Sequence, residues 1–150
     1  MRPVRVSAFV PLPPEDLFPF VSDTRNDPLW CPNVESVEMV EGDGVEVGAR
    51  FRFHQHLDRP GGNRLEFDGD VEVTALTEYS IKWRVSDRFQ ERDIALSVAP
   101  QGSGSRVSQE TSARFKKKPG LARWVYPLMA RRTFAAQFEQ LRDYLSDRGG

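Results

Sequence analysis

The sequence predicts an α+β fold in which a curved antiparallel sheet of about seven strands packs against one long C-terminal helix. Between residues 34 and 115, apolar and polar residues alternate, which is typical of strands that bury one face. Glycine or proline clusters at 42–48, 60–62 and 100–104 divide this region into the strands of a meander. Residues 121–146 carry apolar side chains at helical spacing.

The N-terminal segment predicts one strand and two short helices before the meander. Small apolar residues occupy every second position over 4–10, and Pro11 ends this strand. Prolines and acids in 13–16 suit the first turn of a helix, which is predicted to stop near residues 22–23. Two prolines within 24–33 favour a short second helix or a turn over a strand.

The predicted sheet has one apolar and one charged face. The apolar face comprises Phe51, Phe53, Gln55, Leu57, Leu65, Phe67, Gly69, Val71, Val73, Ile81, Trp83, Val85, Ile94, Leu96 and Val98. The opposite face carries Arg52, His54, His56, Asp58, Glu66, Asp68, Asp70 and Glu72. An antiparallel sheet with one solvated side shows this division. We therefore expect the acidic row to pair across strands with Arg50, Arg52, Arg84 or Lys82.

The C-terminal helix is predicted to cover the apolar face. Its apolar stripe comprises Leu121, Trp124, Leu128, Ala135, Phe138, Leu141 and Leu145. The stripe drifts around the helix, and its second half centres on Phe134, Phe138, Leu141 and Leu145. Pro127 lies inside this segment and lacks a backbone donor, which predicts a kink or a fresh helix start near Tyr126.

Composition restricts the class of protein. A chain of 150 residues suits one domain spanning 1–150. A net charge of −1 does not favour a nucleic-acid binder. A lone cysteine, Cys31, cannot form an internal disulfide, and no export signal or membrane span is evident, so the cytoplasm is expected and stable membrane anchoring is not.

Four segments occur in the order found in a known superfamily: VRVSAFVPLPPEDLFPFVSD, NDPLWCPNVESVEMVEG, VGARFRF and KKKPGLARWVYPLMARRTFAAQFEQLRDYLSD. Together they cover nearly the whole chain. The sequence resembles the helix-grip domains of the START, Bet v 1 and polyketide cyclase (SRPBCC) superfamily, and it is most similar to the bacterial polyketide cyclase/dehydrase-like branch. Members include lipid carriers, hormone receptors, cyclases and co-chaperone domains, so the resemblance implies architecture more than activity.

The resemblance implies a ligand cavity between the concave sheet face and the closing helix. Large side chains or a ligand must fill the mouth of such a sheet. The apolar candidates for its lining are Trp30, Phe51, Phe53, Phe67, Val71, Trp83, Trp124 and Leu128.

Polar residues on the predicted inner surface are candidates for orienting a ligand. Gln55, Arg92, Gln109 and Thr111 occupy inward positions if the strand phase holds. The alternative is that a bulge turns them outward or that they pair with one another. Arg131 points between apolar positions of the helix, where it would either meet an anionic ligand or extend to water.

Three other patterns are interpreted as structural. His54 and His56 share the charged sheet face with no third ligand at an evident spacing, so no metal is predicted. The acidic row is interpreted as cross-strand ion pairs, and Cys31 as a buried thiol and not a nucleophile. No phosphate-cradling or dinucleotide motif occurs, and no cofactor is expected.

Three functions remain open at this point. The first is a carrier or sensor that binds a lipid, isoprenoid or aromatic polyketide-like molecule. The second is a polyketide cyclase or dehydratase in which Gln55, Arg92, Gln109 or Arg131 polarises a carbonyl. The third is a co-chaperone-like interaction module that uses the outer sheet face. The protein is expected to be a monomer or a homodimer.

Overall fold

The computed structural model describes residues 2–58, 61–116 and 122–149, with the backbone alone described at 122–126 and 147–149. The strands are β1 Val4–Val10, β2 Val34–Glu41, β3 Arg50–Asp58, β4 Arg64–Leu76, β5 Ser80–Asp87, β6 Gln90–Gln101 and β7 Gly104–Phe115. The helices are α1 Pro14–Val21, α2 Asp27–Trp30 and α3 Ala122–Gly149, and a 3₁₀ turn spans Thr24–Asn26. The predicted order of elements is confirmed.

The seven strands form one antiparallel sheet in the order β1-β7-β6-β5-β4-β3-β2. Hairpins connect β2 to β7 in sequence, and β1 completes the sheet by pairing with β7. Bulges interrupt the β2–β3 and β4–β5 registers, and such irregularities bend and twist a sheet locally. The sheet is therefore curved, as predicted, and its concave side faces the helices.

The inner face of the sheet forms the core. Phe51, Val73, Ile81 and Leu96 are each at most 2% exposed. Helix α1 contributes Leu17, which is completely buried in the same cluster. Helix α3 packs against β1 and α2. The α+β layer arrangement thus buries one face of the sheet and one side of the long helix.

The buried side of α3 agrees with the second half of the predicted stripe and differs from its first half. Its buried residues are Ala130, Phe134, Phe138 and Leu141. Leu128 is 58% exposed, and Arg131 and Ala135 are exposed as well. At about 100° per residue, Leu128 lies roughly 200° away from Ala130, on the opposite side of the helix. The predicted drift of the stripe toward Phe134 and Phe138 agrees with the buried side, whereas the first half of the stripe, at Leu128, is exposed.

Helix α3 begins at Ala122 and continues through Pro127. The predicted fresh helix start near Tyr126 is therefore wrong. Pro127 is the sixth residue of α3, beyond the first turn, so the missing donor removes one intrahelical hydrogen bond while the helix continues. Leu121 and the side chain of Trp124 lie outside the described residues.

Candidate functional site

A cavity of about 140 Å³ lies between the inner sheet face, the short helices and α3. Sequence-predicted residues that line it are Trp30, Phe53, Gln55, Val71, Trp83, Arg92 and Gln109. Further lining residues are Val21, Thr24, Asp27, Cys31, Asn33, Val34, Val37, Val85, Ile94, Leu96, Thr133, Phe134 and Gln137. The cavity is mostly apolar, and its polar groups come from several different elements.

The remaining predicted site residues lie elsewhere. Phe51, Phe67 and Thr111 are buried, but they belong to the packed core and are not part of the cavity wall. Leu128 and Arg131 are exposed on α3, so we leave both out of the site. Their predicted role assumed that the apolar stripe of α3 passes through position 128, and the buried side passes through Ala130 instead.

The residues that sequence reasoning missed come mainly from two regions. Thr24, Asp27 and Asn33 belong to the segment around α2, and Thr133 and Gln137 belong to α3. The α2 segment is too short to show a helical stripe, so its pattern could not indicate which side chains face the sheet. On α3, Thr133 and Gln137 flank the buried Phe134 and Phe138, and that proximity is the signal that could have identified them.

Arg92 is held inside the cavity by the sheet register. Arg92 in β6 pairs with Val85 in β5, and Trp83 pairs with Ile94, so Arg92 and Trp83 are diagonal neighbours on the inner face. Diagonal neighbours lie about 7–8 Å apart, within reach of long side chains. The Arg92 side chain is 15% exposed, and its Nη2 atom lies 4.0 Å from Oδ2 of Asp87. Arg92 is thus a nearly buried cation, and the described residues place one carboxylate, at 4.0 Å, near it.

The carboxylate of Asp87 balances the positive charge of Arg92 only in part. The Asp87 side chain is 2% exposed. Its Oδ1 atom accepts hydrogen bonds from the backbone N–H groups of Phe89 at 2.8 Å and Gln90 at 3.1 Å. Asp87 therefore holds the β5–β6 turn, and the 4.0 Å separation from Arg92 is at the limit for an ion pair.

Several buried polar atoms of the cavity wall have no partner among the described residues. They are Thr24 Oγ1, Trp30 Nε1, Trp83 Nε1 and Arg92 Nε. Three of the four can only donate hydrogen bonds. A buried donor without an acceptor costs about 1–3 kcal/mol. The wall therefore offers more donors than the protein satisfies.

Asp27 and Cys31 add two weakly acidic groups to the same wall. Burial raises the pKa of the Asp27 carboxyl well above its usual range, and the negative charge of Asp23 raises it further. Burial and the charge of Asp27 likewise raise the pKa of the Cys31 thiol, against the opposing effect of Arg92. Cys31 is 6% exposed, as expected for a buried thiol. Both groups favour their neutral forms.

Gln109 and Thr111 partly satisfy each other. Nε2 of Gln109 donates to Oγ1 of Thr111 at 3.3 Å, and both residues are buried on β7. This is the mutual pairing that the sequence left open as an alternative. Gln109 still lines the cavity, and its side-chain oxygen is an additional acceptor there.

A glycine permits Phe53 to form part of the cavity wall. Phe53 pairs with Gly69 across β3 and β4. A Cβ atom added at Gly69 would lie 2.2 Å from Cζ of the Phe53 ring. The ring therefore lies directly over the glycine, which supplies the space that any other residue would fill.

The outer face of the sheet is covered with ion pairs. Arg52 lies 3.5 Å from Asp70, in line with the predicted cross-strand pairing. Arg114 lies 2.8 Å from Asp93, and hydrogen bonds from Arg114 lower the pKa of the Asp93 carboxyl. These side chains are at least 44% exposed, so each pair contributes little to stability.

His54 lies at the centre of a cluster on this outer face. Its Nδ1 atom is 2.6 Å from Oδ1 of Asp68, and its Nε2 atom is 3.5 Å from oxygens of both Glu35 and Glu66. The hydrogen bond to Asp68 raises the pKa of His54. Ligand atoms of Glu35, His54 and Glu66 lie within 4.8 Å of one another, a grouping that the spacing of His54 and His56 did not reveal. Because Glu35 and Glu66 are exposed, we interpret it as an ion-pair cluster.

The fold and the cavity together define a helix-grip domain, in which a curved antiparallel sheet holds a long C-terminal helix above an internal cavity. The chain belongs to the family described as "Polyketide cyclase / dehydrase and lipid transport", which it matches over residues 1–146. This membership agrees with the resemblance found in the sequence.

Solved structures show the same fold at low sequence identity. TTHA0849 from Thermus thermophilus is 18% identical, with 99% of both chains covered and a TM-score of 0.76. Protein CV1439 from Chromobacterium violaceum is 16% identical, with 95% of both chains covered and a TM-score of 0.71. Ara h 8.0201 is 17% identical, with 96% of this chain and 97% of that chain covered and a TM-score of 0.68.

No curated protein matches this chain in sequence. In the part of the chain that the structure describes, no helix combines the length and the apolar character needed to cross a membrane.

Proposed function

We propose that this protein binds a small, mainly apolar molecule in the cavity between the sheet and α3, as a carrier or a sensor. The observation that carries the proposal is the cavity itself, which is walled by aromatic and aliphatic side chains and includes unpartnered buried donors. Family membership and the helix-grip fold support a role in binding hydrophobic ligands. We further propose that it acts in the cytoplasm, as a monomer or a homodimer and without nucleic acid.

Enzymatic activity is the second candidate, favoured by Arg92 and Asp27 in one cavity wall. A guanidinium stabilises negative charge on a carbonyl oxygen, and a neutral carboxyl can donate a proton. This combination suits enolisation or dehydration of a carbonyl compound, as in a cyclase or dehydratase. If catalysis occurs, Arg92→Met and Asp27→Asn should lower kcat while substrate binding persists.

The interaction module has the least support. Its proposed surface, the outer sheet face, carries paired charges such as Arg52–Asp70 and Arg114–Asp93. A docking face for another protein is expected to expose a contiguous apolar patch.

The first test is native mass spectrometry of the protein purified from its own host, combined with solvent extraction. Stoichiometric recovery of an apolar molecule is expected. A cavity-filling variant, Val34→Phe, should lose that molecule, because Val34 lines the cavity. The matched control is Val40→Phe on the same strand, where Val40 is 56% exposed.

The proposal would be abandoned if folded wild type bound nothing in the mass spectrum and was not stabilised by any member of a panel of lipids, aromatic acids and aromatic amides. Thermal unfolding of both variants must first show that they fold, since a larger side chain can strain a packed wall.

A further inference from the structure

The volume of the cavity restricts the size of its ligand. Pockets that hold drug-sized ligands measure about 300–1,000 Å³, whereas an engineered cavity of about 150 Å³ in another protein holds benzene. The present cavity of about 140 Å³ therefore matches a single ring with a short substituent. A long-chain lipid or a fused polycyclic molecule would extend beyond this volume.

The polar groups of the wall restrict the chemistry of the ligand. Arg92 Nε and Trp83 Nε1 are buried, donate only, and have no acceptor among the described residues. Both side chains project from neighbouring strands on the inner face, so their donors can converge on one group. A planar guanidinium matches a carboxylate with two parallel hydrogen bonds.

The charges around Arg92 leave room for an anion. Asp87 is the nearest carboxylate at 4.0 Å, and one of its oxygens already accepts two backbone hydrogen bonds. Burial raises the pKa of the Asp27 carboxyl and so disfavours a second negative charge at the wall. A buried cation with incomplete compensation is stabilised by an anionic partner.

We propose that the ligand is a compact aromatic carboxylate whose ring fills the apolar part of the cavity and whose carboxylate accepts hydrogen bonds from Arg92 and Trp83. This inference rests on the proposed binding function and specifies its ligand class. The ring would contact Phe53, Val71 and Phe134, which line the cavity. The carboxylate would satisfy donors that the protein itself leaves unpaired.

Matched pairs of small molecules test the proposal by calorimetry: benzoate against benzamide, phenylacetate against phenylacetamide, and 3-phenylpropanoate against 3-phenylpropanamide. Each amide retains the shape of the acid and lacks its charge. We expect at least one acid to bind about ten-fold or more tightly than its amide, because charge-assisted hydrogen bonds are the stronger ones. Dodecanoate, with a longer chain, should bind more weakly than that acid.

Three variants assign the preference to specific atoms. Arg92→Met should bring acid and amide to nearly equal affinity, and Arg92→Lys should retain part of the preference because it keeps the charge without the planar geometry. Trp83→Phe should reduce acid affinity a few-fold by removing one donor. Arg84→Met is the control, because Arg84 adjoins Trp83 in β5 but is 57% exposed on the outer face; it should leave the preference unchanged.

The indole signals of Trp83 and Trp30 in ¹H–¹⁵N spectra give a readout that does not depend on affinity. Formation of a hydrogen bond to a carboxylate should move the Nε1–H proton of Trp83 downfield, and the Trp83→Phe spectrum assigns that signal. Equal affinity for acids and amides together with an unmoved Trp83 signal would overturn the carboxylate proposal and leave apolar binding intact.

Tighter binding of dodecanoate than of all three aromatic acids would overturn the size argument. Failure of every acid, amide and lipid to bind folded wild type would remove the binding function itself, and with it this inference.

Discussion

Polar side chains on the two faces of the sheet differ in whether they have hydrogen-bond or ion-pair partners. On the outer face, arginines and carboxylates meet across strands, as in Arg52–Asp70 and Arg114–Asp93, with water around them. On the inner face, Arg92 and Trp83 keep buried donors without acceptors among the described residues. Exposed charges pair at little cost and with little gain, whereas a buried donor without a partner costs free energy. The difference supports the proposal that the ligand binds at the inner face.

The largest expected effect comes from filling the space at Gly69. Gly69→Ala should lower the free energy of unfolding by about 1–3 kcal/mol, because the new Cβ atom would meet the Phe53 ring at 2.2 Å. The displaced ring should also narrow the cavity and weaken ligand binding. Chemical denaturation and calorimetry measure the two effects.

Gly44→Ala is the matched control, since a Cβ atom there meets nothing within 4 Å. Equal stability of the Gly69 and Gly44 variants would contradict the close packing of Phe53 against β4.

Replacing Arg92 tests whether its buried positive charge lowers the free energy of unfolding. Arg92→Met should raise the free energy of unfolding of the ligand-free protein by about 1 kcal/mol, because the variant removes a poorly paired buried charge. Asp87 keeps its two backbone hydrogen bonds in the variant. Arg84→Met on the outer face should change it by about 0.5 kcal/mol or less. Urea denaturation without ligand compares the two.

A marked loss of stability in Arg92→Met would instead mean that the contact with Asp87 supports the fold. In that case the inner face would resemble the outer one, and the contrast between the two faces would fail.

Asp27 gives the inner wall a specific pH dependence. Its raised folded pKa means that the native state holds a proton which the unfolded state releases above the ordinary value of 3.8. The contribution of Asp27 to stability is thus fully present below that value and is lost as pH rises through the folded pKa. Asp27→Asn should remove this pH dependence.

Urea denaturation of wild type and Asp27→Asn at several pH values from acidic to neutral measures the difference. Wild type should gain stability relative to the variant as pH falls. Parallel curves would show that the pKa of Asp27 does not differ between the folded and unfolded states.

The smallest effect is expected at His54 on the outer face. The hydrogen bond to Asp68 raises the pKa of His54, so its contribution is present below the unfolded value of 6.5 and is lost as pH rises through the folded pKa. Asp68→Asn should lower the pKa of His54 in an NMR titration and leave ligand affinity unchanged. An unchanged pKa would mean that the 2.6 Å contact does not persist in solution.

Much of the fold could be predicted from local patterns. Alternation over 34–115 fixed which strand residues face inward, and the register confirms Phe53, Val71 and Trp83 on one face. Turns could also be predicted from glycines in the sequence. Gly102, between β6 and β7, has a φ of 57°, which glycine adopts without strain. These features depend on neighbours in sequence, so the sequence carries them directly.

The sequence by itself determined the α+β class, the order of elements and the apolar inner face that supplies Phe53, Val71 and Trp83 to the cavity. The inward position of Arg92 depended on the strand register, which the structure supplies. Only the tertiary structure decided which side of α3 is buried and which residues near α2 reach the cavity. Leu128 and Ala130 are both plausible helix-core residues, and only packing against β1 and α2 chooses between them. Hydrophobic periodicity predicts which face of its own helix or strand a residue occupies, whereas the lining of a cavity depends on how separate elements pack together.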